Sequence, residues 1–169
     1  MEMTRPALPI WHPTTLIATW FGAGLLPKAP GTWGSLVAVP LAWLILAAGG
    51  PPTLLLAGLF VFGLGWLATT HYLEHRGPGD PPEVVVDEVS GQWLTLLVAD
   101  PRIWWHWPLG FALFRLFDIV KVWPASELNR RSDALGVMAD DTAAAFYAAV
   151  ALALAILGFR FVFGAAHGA

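Results

Sequence analysis

Runs of uncharged residues, broken by short polar segments, set the layout of this chain. Residues 33–50 and 51–70 carry no charged side chain, and each approaches the ~20 residues that a membrane-spanning helix needs. Between them, Gly49-Gly50-Pro51-Pro52 is a strong turn signal. The pattern therefore predicts two antiparallel helices joined by a tight connection. Residues 71–88 form a polar segment dense in Pro, Gly and charge. Residues 89–99 and 103–114 are again apolar and flank Asp100-Pro101-Arg102, but at that length they predict buried, tilted or re-entrant helices rather than simple spans. A second polar segment covers 115–141. The last uncharged stretch, 142–159, is rich in Ala, a good helix former, and ends at Arg160, placed to snorkel to an interface.

The fold expected is all-α, a compact membrane-embedded bundle of about six helices in a single domain over residues 1–169. Three long apolar helices would combine with two short ones and with polar loops at one face. Residues 1–13 lack the basic and apolar regions of a signal peptide and read as a loop or interfacial stretch. A soluble bundle with apolar core helices is the weaker alternative.

Composition moves the balance toward lipid. Hydrophobic residues make up 57% of the 169 and charged residues 12%, against roughly 45–50% and 25% in soluble domains. Mean hydropathy is +0.62. A small soluble protein needs more charge than this to cover its surface. The ten Trp suit a membrane–water interface. A net charge of −3 gives no basic patch for nucleic acid. The absence of cysteine removes disulfides, thiolate metal sites and cysteine-phosphatase chemistry. If the two short helices return to their starting face, Lys28, Asp87, Glu88, Asp118, Lys121, Asp140 and Asp141 share one end of the bundle. All Lys and Arg except Arg102 and Arg160 fall in loops assigned to that end, which the positive-inside tendency makes cytoplasmic.

Four segments carry candidate chemistry. Gly22-Ala23-Gly24-Leu25-Leu26-Pro27-Lys28-Ala29-Pro30-Gly31-Thr32-Trp33-Gly34-Ser35 forces a specific loop path. It brings Lys28, Thr32 and Ser35 to a helix start, where free N–H groups favour phosphate. A plain turn with Thr32 or Ser35 as helix cap is the bland alternative. In Val86-Asp87-Glu88-Val89-Ser90-Gly91, adjacent acids enter an apolar helix, and buried ionised carboxylates need a partner or a metal; a solvated helix start is the alternative. Arg115, Asp118 and Lys121 recur every third residue among apolar neighbours, either as a site or as an ion-pair ladder. Asp140-Asp141 opens the last apolar helix, where one acid could serve as a dipole cap. Together these acids form a hard-oxygen set that suits Mg²⁺ rather than zinc. With cations beside them they have the makings of phosphoryl chemistry, in which a metal neutralises phosphate oxygens and activates water.

The four segments, with Phe114-Arg115-Leu116-Phe117-Asp118-Ile119-Val120-Lys121, Trp123-Pro124 and Gly136-Val137-Met138-Ala139-Asp140-Asp141, resemble the phosphatidylglycerophosphatase A family, in order, over residues 20–150. Val122 stands where that family's pattern has Pro, and residues 130–134 replace a Gly-rich stretch. The resemblance implies a multi-pass enzyme of the bacterial inner membrane, its active site facing the cytoplasm. The reaction implied is Mg²⁺-dependent hydrolysis of phosphatidylglycerophosphate, a phospholipid substrate, to phosphatidylglycerol. It also implies Asp87, Glu88, Asp118, Asp140 and Asp141 as metal ligands, with Asp87, Glu88, Asp118 and Asp141 catalytic. Lys28, Thr32, Ser35, Arg115 and Lys121 follow as phosphate-binding candidates. A small membrane transporter or channel is the competing class, but it calls for polar groups at mid-membrane depth, which the long stretches lack. A membrane scaffold would have no use for five acids among apolar neighbours.

Overall fold

The computed structural model describes residues 6–164, and among them every regular element is helical. In chain order these are α1 (Pro13–Ala18), α2 (Pro30–Arg76), α3 (Val86–Thr95), α4 (His106–Val120), α5 (Ala125–Leu128) and α6 (Ala134–Gly164), with 3₁₀ turns at Ala23–Leu25 and Leu96–Val98. The first five residues of the expected interfacial stretch lie outside the described residues. Residues 6–12 carry no helix, and α1 begins where that stretch ends, with Pro13 at its first position and a cap from His12, whose Nδ1 accepts from Thr14 N.

The expected hairpin is present inside α2. Gly50 adopts φ 71° and ψ −174°, a conformation open to glycine and strained for any other residue. The helix turns back on itself there. On the first arm Gly34 packs against Val85, and on the second Gly65 packs against Val86. The Trp93 indole donates to Ala38 O at 2.9 Å, and Gly58 packs against the same Trp93. The two arms thus run antiparallel and hold α3 between them. Small residues make this possible: Gly31, Gly34, Ser35, Ala38 and Ala42 face inward on one arm, and Gly58, Gly65, Ala68 and Thr69 on the other. Such stripes let helix backbones approach closely.

Helices α2 and α6 are long and apolar enough to cross a membrane. Their outward residues, among them Leu44, Leu56, Phe60, Leu67, Phe146, Leu154 and Phe161, are exposed, and exposed apolar faces of this kind mark contact with lipid or a partner.

Helical periodicity carries acids into the bundle. The inward stripe of α4 runs Trp107, Gly110, Phe114, Asp118, and that of α6 runs Asp141, Ala144, Ala145, Ala148, Leu152, both at the three-to-four-residue spacing of one face. Asp118 therefore ends one apolar stripe, and Asp141 interrupts the other, which continues through buried Met138, Val137 and Ala134. Helix α6 starts eight residues earlier than its uncharged stretch implied, because Asp133 Oδ1 accepts from Gly136 N at 3.0 Å and caps the helix at that point. Asp140 and Asp141 are consequently inside the helix rather than caps at its mouth. The short helices shift in the same way. Helix α3 begins before the charged pair, and α4 runs on through Arg115 and Asp118 to end at Lys121, which takes a left-handed φ of 46°. The pair does return to its starting end, since Asp87 opens α3 and Asp118 closes α4. Asp100, Arg102 and Arg160 line a cavity at the other end with Gly50 and Pro51.

Candidate active site

A cavity of about 290 Å³ opens at the end of the bundle where α3 begins and α4 ends. Pro30 and Gly31 line it from α2 with Ala29 just before them, Asp87 and Glu88 from α3, Arg115 and Asp118 from α4 with Lys121 at its C-terminal cap, Asp140 and Asp141 from α6, and Asp80 from the loop before α3. Six carboxylates thus face two cations. Asp87, Asp118, Asp140 and Asp141 are buried, and burying so much uncompensated negative charge costs a great deal unless a cation or protons offset it.

The cations are held by specific partners. Arg115 Nη1 lies 2.7 Å from Asp118 Oδ2 and 3.9 Å from Glu88 Oε1, and it donates to Ser35 Oγ at 3.3 Å. Ser35 in turn donates to Gly31 O at 2.9 Å. Lys121 pairs closely with Asp140, donates to Asn129 Oδ1 at 2.8 Å and lies 4.0 Å from Asp118. Burial alone would lower the Lys121 pKa, but the hydrogen bond to Asp140 and the surrounding carboxylates hold it above its ordinary value.

Asp87, Glu88 and Asp141 form a tighter group. Each offers an oxygen within 4.8 Å of the others'. Glu88 Oε2 and Asp141 Oδ2 are buried with no hydrogen-bond partner among the described residues. Burial, and then repulsion from Asp141, push the Glu88 pKa up to about 8; burial, and then Glu88, push Asp87 well above its usual range. Orphaned buried oxygens, clustered and disfavoured as anions, are what a hard divalent cation would relieve. The residues present fit Mg²⁺.

The predicted site residues divide. All five acids, Arg115 and Lys121 meet in the cavity. Ser35 is fully buried and supports Arg115 from behind. Lys28 is exposed and Thr32 half-buried, and neither lines the cavity. No side chain caps α2, so neither Thr32 nor Ser35 is the cap. Pro30 has no N–H and Thr32 N bonds to Ala29 O, which leaves the Gly31 N–H for an anion at that helix start. Asp80 and Asn129 were missed. Asp80 sits in a Pro/Gly-rich loop without the apolar neighbours that singled out the other acids, and Asn129 carries no charge.

The fold and site define an all-helical bundle, apolar on its outside, with an acidic, cation-flanked cavity open at one end. The chain belongs to the phosphatidylglycerophosphatase A family, whose sequence model matches residues 16–156. It is 37% identical over 141 residues to phosphatidylglycerophosphatase A of Haemophilus influenzae, covering 82% of this chain and 86% of that one. To phosphatidylglycerophosphatase A of Escherichia coli it is 33% identical over 147 residues, covering 85% and 80%. A Bacteroides thetaiotaomicron protein with the provisional name phosphatidylinositol-3-phosphatase is 40% identical over 162 residues, covering 90% and 97%. No solved structure gives a significant match.

Proposed function

We propose that this protein is a Mg²⁺-dependent lipid phosphatase of the bacterial inner membrane, removing the terminal phosphate of phosphatidylglycerophosphate to give phosphatidylglycerol. The observation that carries this is the grouping of Asp87, Glu88 and Asp141 within 4.8 Å in the cavity that also holds Arg115 and Lys121. The apolar bundle supports a multi-pass arrangement with this cavity at the cytoplasmic surface, where a lipid head group can enter without leaving the bilayer.

Asp87, Glu88 and Asp141 are the residues to hold Mg²⁺. When bound, the ion would neutralise phosphate oxygens and make water a better nucleophile. Arg115, fixed by Asp118 and Ser35, presents its guanidinium to the phosphate, where a planar fork matches two oxygens. Asp118 and Asp140 are committed to Arg115 and Lys121. The oxygens left to take the proton of the attacking water are therefore those of the buried trio, with Asp87 and Glu88 favoured. The phosphorus–oxygen bond to the head group breaks, and the head-group oxygen leaves as an alcohol once protonated.

A second substrate is favoured by the Bacteroides relative, namely phosphatidylinositol 3-phosphate, also a head-group monoester on a glycerophospholipid. Phosphate release from each lipid in detergent micelles, with Mg²⁺ and then with EDTA, separates the two. Mg²⁺-dependent release from phosphatidylglycerophosphate is expected. Release from the inositol lipid alone would reassign the substrate, and release from neither by folded protein would overturn the phosphatase function.

A further inference from the structure

A second concavity lies beside the first arm of α2, on its outer side. Its volume is about 430 Å³, and its walls are Trp20, Phe21 and Leu26 from the loop after α1 with Val37 and Leu41 from α2. Phe21 is 72% exposed and Val37 40%. The loop is held in this shape at some cost. Trp20 and Phe21 have φ of 46° and 54°, a left-handed conformation that L-residues avoid. Trp20 is braced edge-on against Trp93 at 5.9 Å, and Phe21 N bonds back to Leu16 O. The loop therefore keeps large aromatic groups at the rim of an apolar groove rather than folding them away.

The position of this groove relative to the acidic cavity is what gives it meaning. Pro30 lines the cavity, and Val37 and Leu41 line the groove. Those residues are spaced i, i+7 and i+11, so they stand on one face of α2. The groove begins about 10 Å further along the helix axis, roughly the depth at which the chains of a glycerophospholipid start below its head group. The loop supplies the other link. Leu26 lines the groove and Ala29 lines the cavity, so Pro27 and Lys28 are the only residues between them. Lys28 is exposed, has a left-handed φ of 59°, and has no ion-pair partner among the described residues. It is a free cation between an apolar groove and the acidic cavity.

We propose that the groove of Trp20, Phe21, Leu26, Val37 and Leu41 receives an acyl chain of the lipid whose phosphate monoester enters the acidic cavity, and that Lys28 meets the phosphodiester joining the two ends. This rests on the lipid-phosphatase function proposed above and extends it. The enzyme measures its substrate at three points along one helix face: hydrocarbon, bridging phosphate and terminal phosphate. Lys28 is then a substrate-binding residue outside the catalytic cavity, which accounts for its absence from the cavity lining.

The test compares kcat/KM for diacyl phosphatidylglycerophosphate with that for its deacylated, water-soluble head group, in wild type and in Leu41→Trp. Filling the groove is expected to lower the diacyl-to-deacylated ratio about five- to tenfold, mostly through KM. Leu44→Trp, also exposed on α2 but outside the groove, should leave the ratio at its wild-type value. Lys28→Asn provides a second readout. It should raise KM for phosphatidylglycerophosphate but not for phosphatidic acid, a monoester with no bridging phosphate. An unchanged ratio in Leu41→Trp, or an equal fall in Leu44→Trp, would overturn the groove assignment. Equal losses on both lipids in Lys28→Asn would overturn the role of Lys28. If wild-type protein cleaves neither form of the head group, phosphatidylglycerophosphate is not its substrate and this inference fails with that assignment.

Discussion

Gly31 on α2 and Glu88 on α3 occupy adjoining space with nothing between them. A Cβ added at residue 31 would overlap Glu88 Oε1 and come within 3.2 Å of Arg115 Nη1. The glycine is therefore what lets the carboxylate turn toward Asp141 while the guanidinium keeps its place over Ser35.

Gly31→Ala tests that relationship. The clash falls on the far ends of two side chains, so folding should be little affected while the site is displaced. Activity should drop about 10- to 100-fold, as it does when groups that orient a metal ligand are disturbed. Turnover and thermal midpoint, measured on the same detergent-solubilised sample, check this; a collapse of the midpoint would mean that Gly31 serves packing instead.

Asp140 and Asp141 should differ sharply although they are neighbours. Asp141 belongs to the buried trio and Asp140 to Lys121. Asp141→Asn should cost at least about 10³-fold in turnover and weaken Mg²⁺ binding. Asp140→Asn frees Lys121 and should reduce turnover, with Mg²⁺ affinity nearly unchanged. Mg²⁺ titrations of activity and of thermal stability distinguish the two variants.

The raised Glu88 pKa gives a pH signature. Its folded value of about 8 lies above the ordinary 4.5, so between these limits the folded protein binds more protons than the unfolded one. Stability in EDTA should therefore be greatest below about pH 4.5 as far as this group is concerned, and should fall as pH rises to about 8. A cation that displaces the proton reverses the trend, so Mg²⁺ should stabilise more at pH 8 than at pH 6 and release protons on binding. Thermal midpoints at both pH values, with and without Mg²⁺, provide the measurement.

Gly91 packs α3 against its neighbours. A Cβ there would lie 2.7 Å from the Phe114 ring and 3.1 Å from Asp141 O. Gly91→Ala pushes α4 and α6 away from α3 and should destabilise by about 1–3 kcal/mol, the usual cost of overpacking. A lowered thermal midpoint with Mg²⁺ affinity reduced in parallel is expected, because the backbone of Asp141 is what moves.

The sequence by itself determined the layout and the identity of the charged cast. Uncharged runs and the Gly49–Pro52 break specified α2 as a hairpin, because helix length and glycine backbone freedom are local properties. The acids and bases among apolar neighbours were legible for a similar reason: in a chain with so little charge, each ionised group placed among hydrophobic residues needs an explanation near at hand. What only the tertiary structure decided is which of them face one another. Adjacent acids on a helix point about 100° apart, so the division of Asp140 to Lys121 and Asp141 to Glu88 depends on how α6 is rotated against α3 and α4. The support of Arg115 by Ser35 joins residues eighty apart in the chain, and Asp80 enters the cavity on a loop with no periodicity. Lys28 stays outside it because the Pro27–Pro30 turn directs it along the bundle's outer surface. Pairings across the bundle are set by packing of whole helix faces, and local spacing carries no record of them.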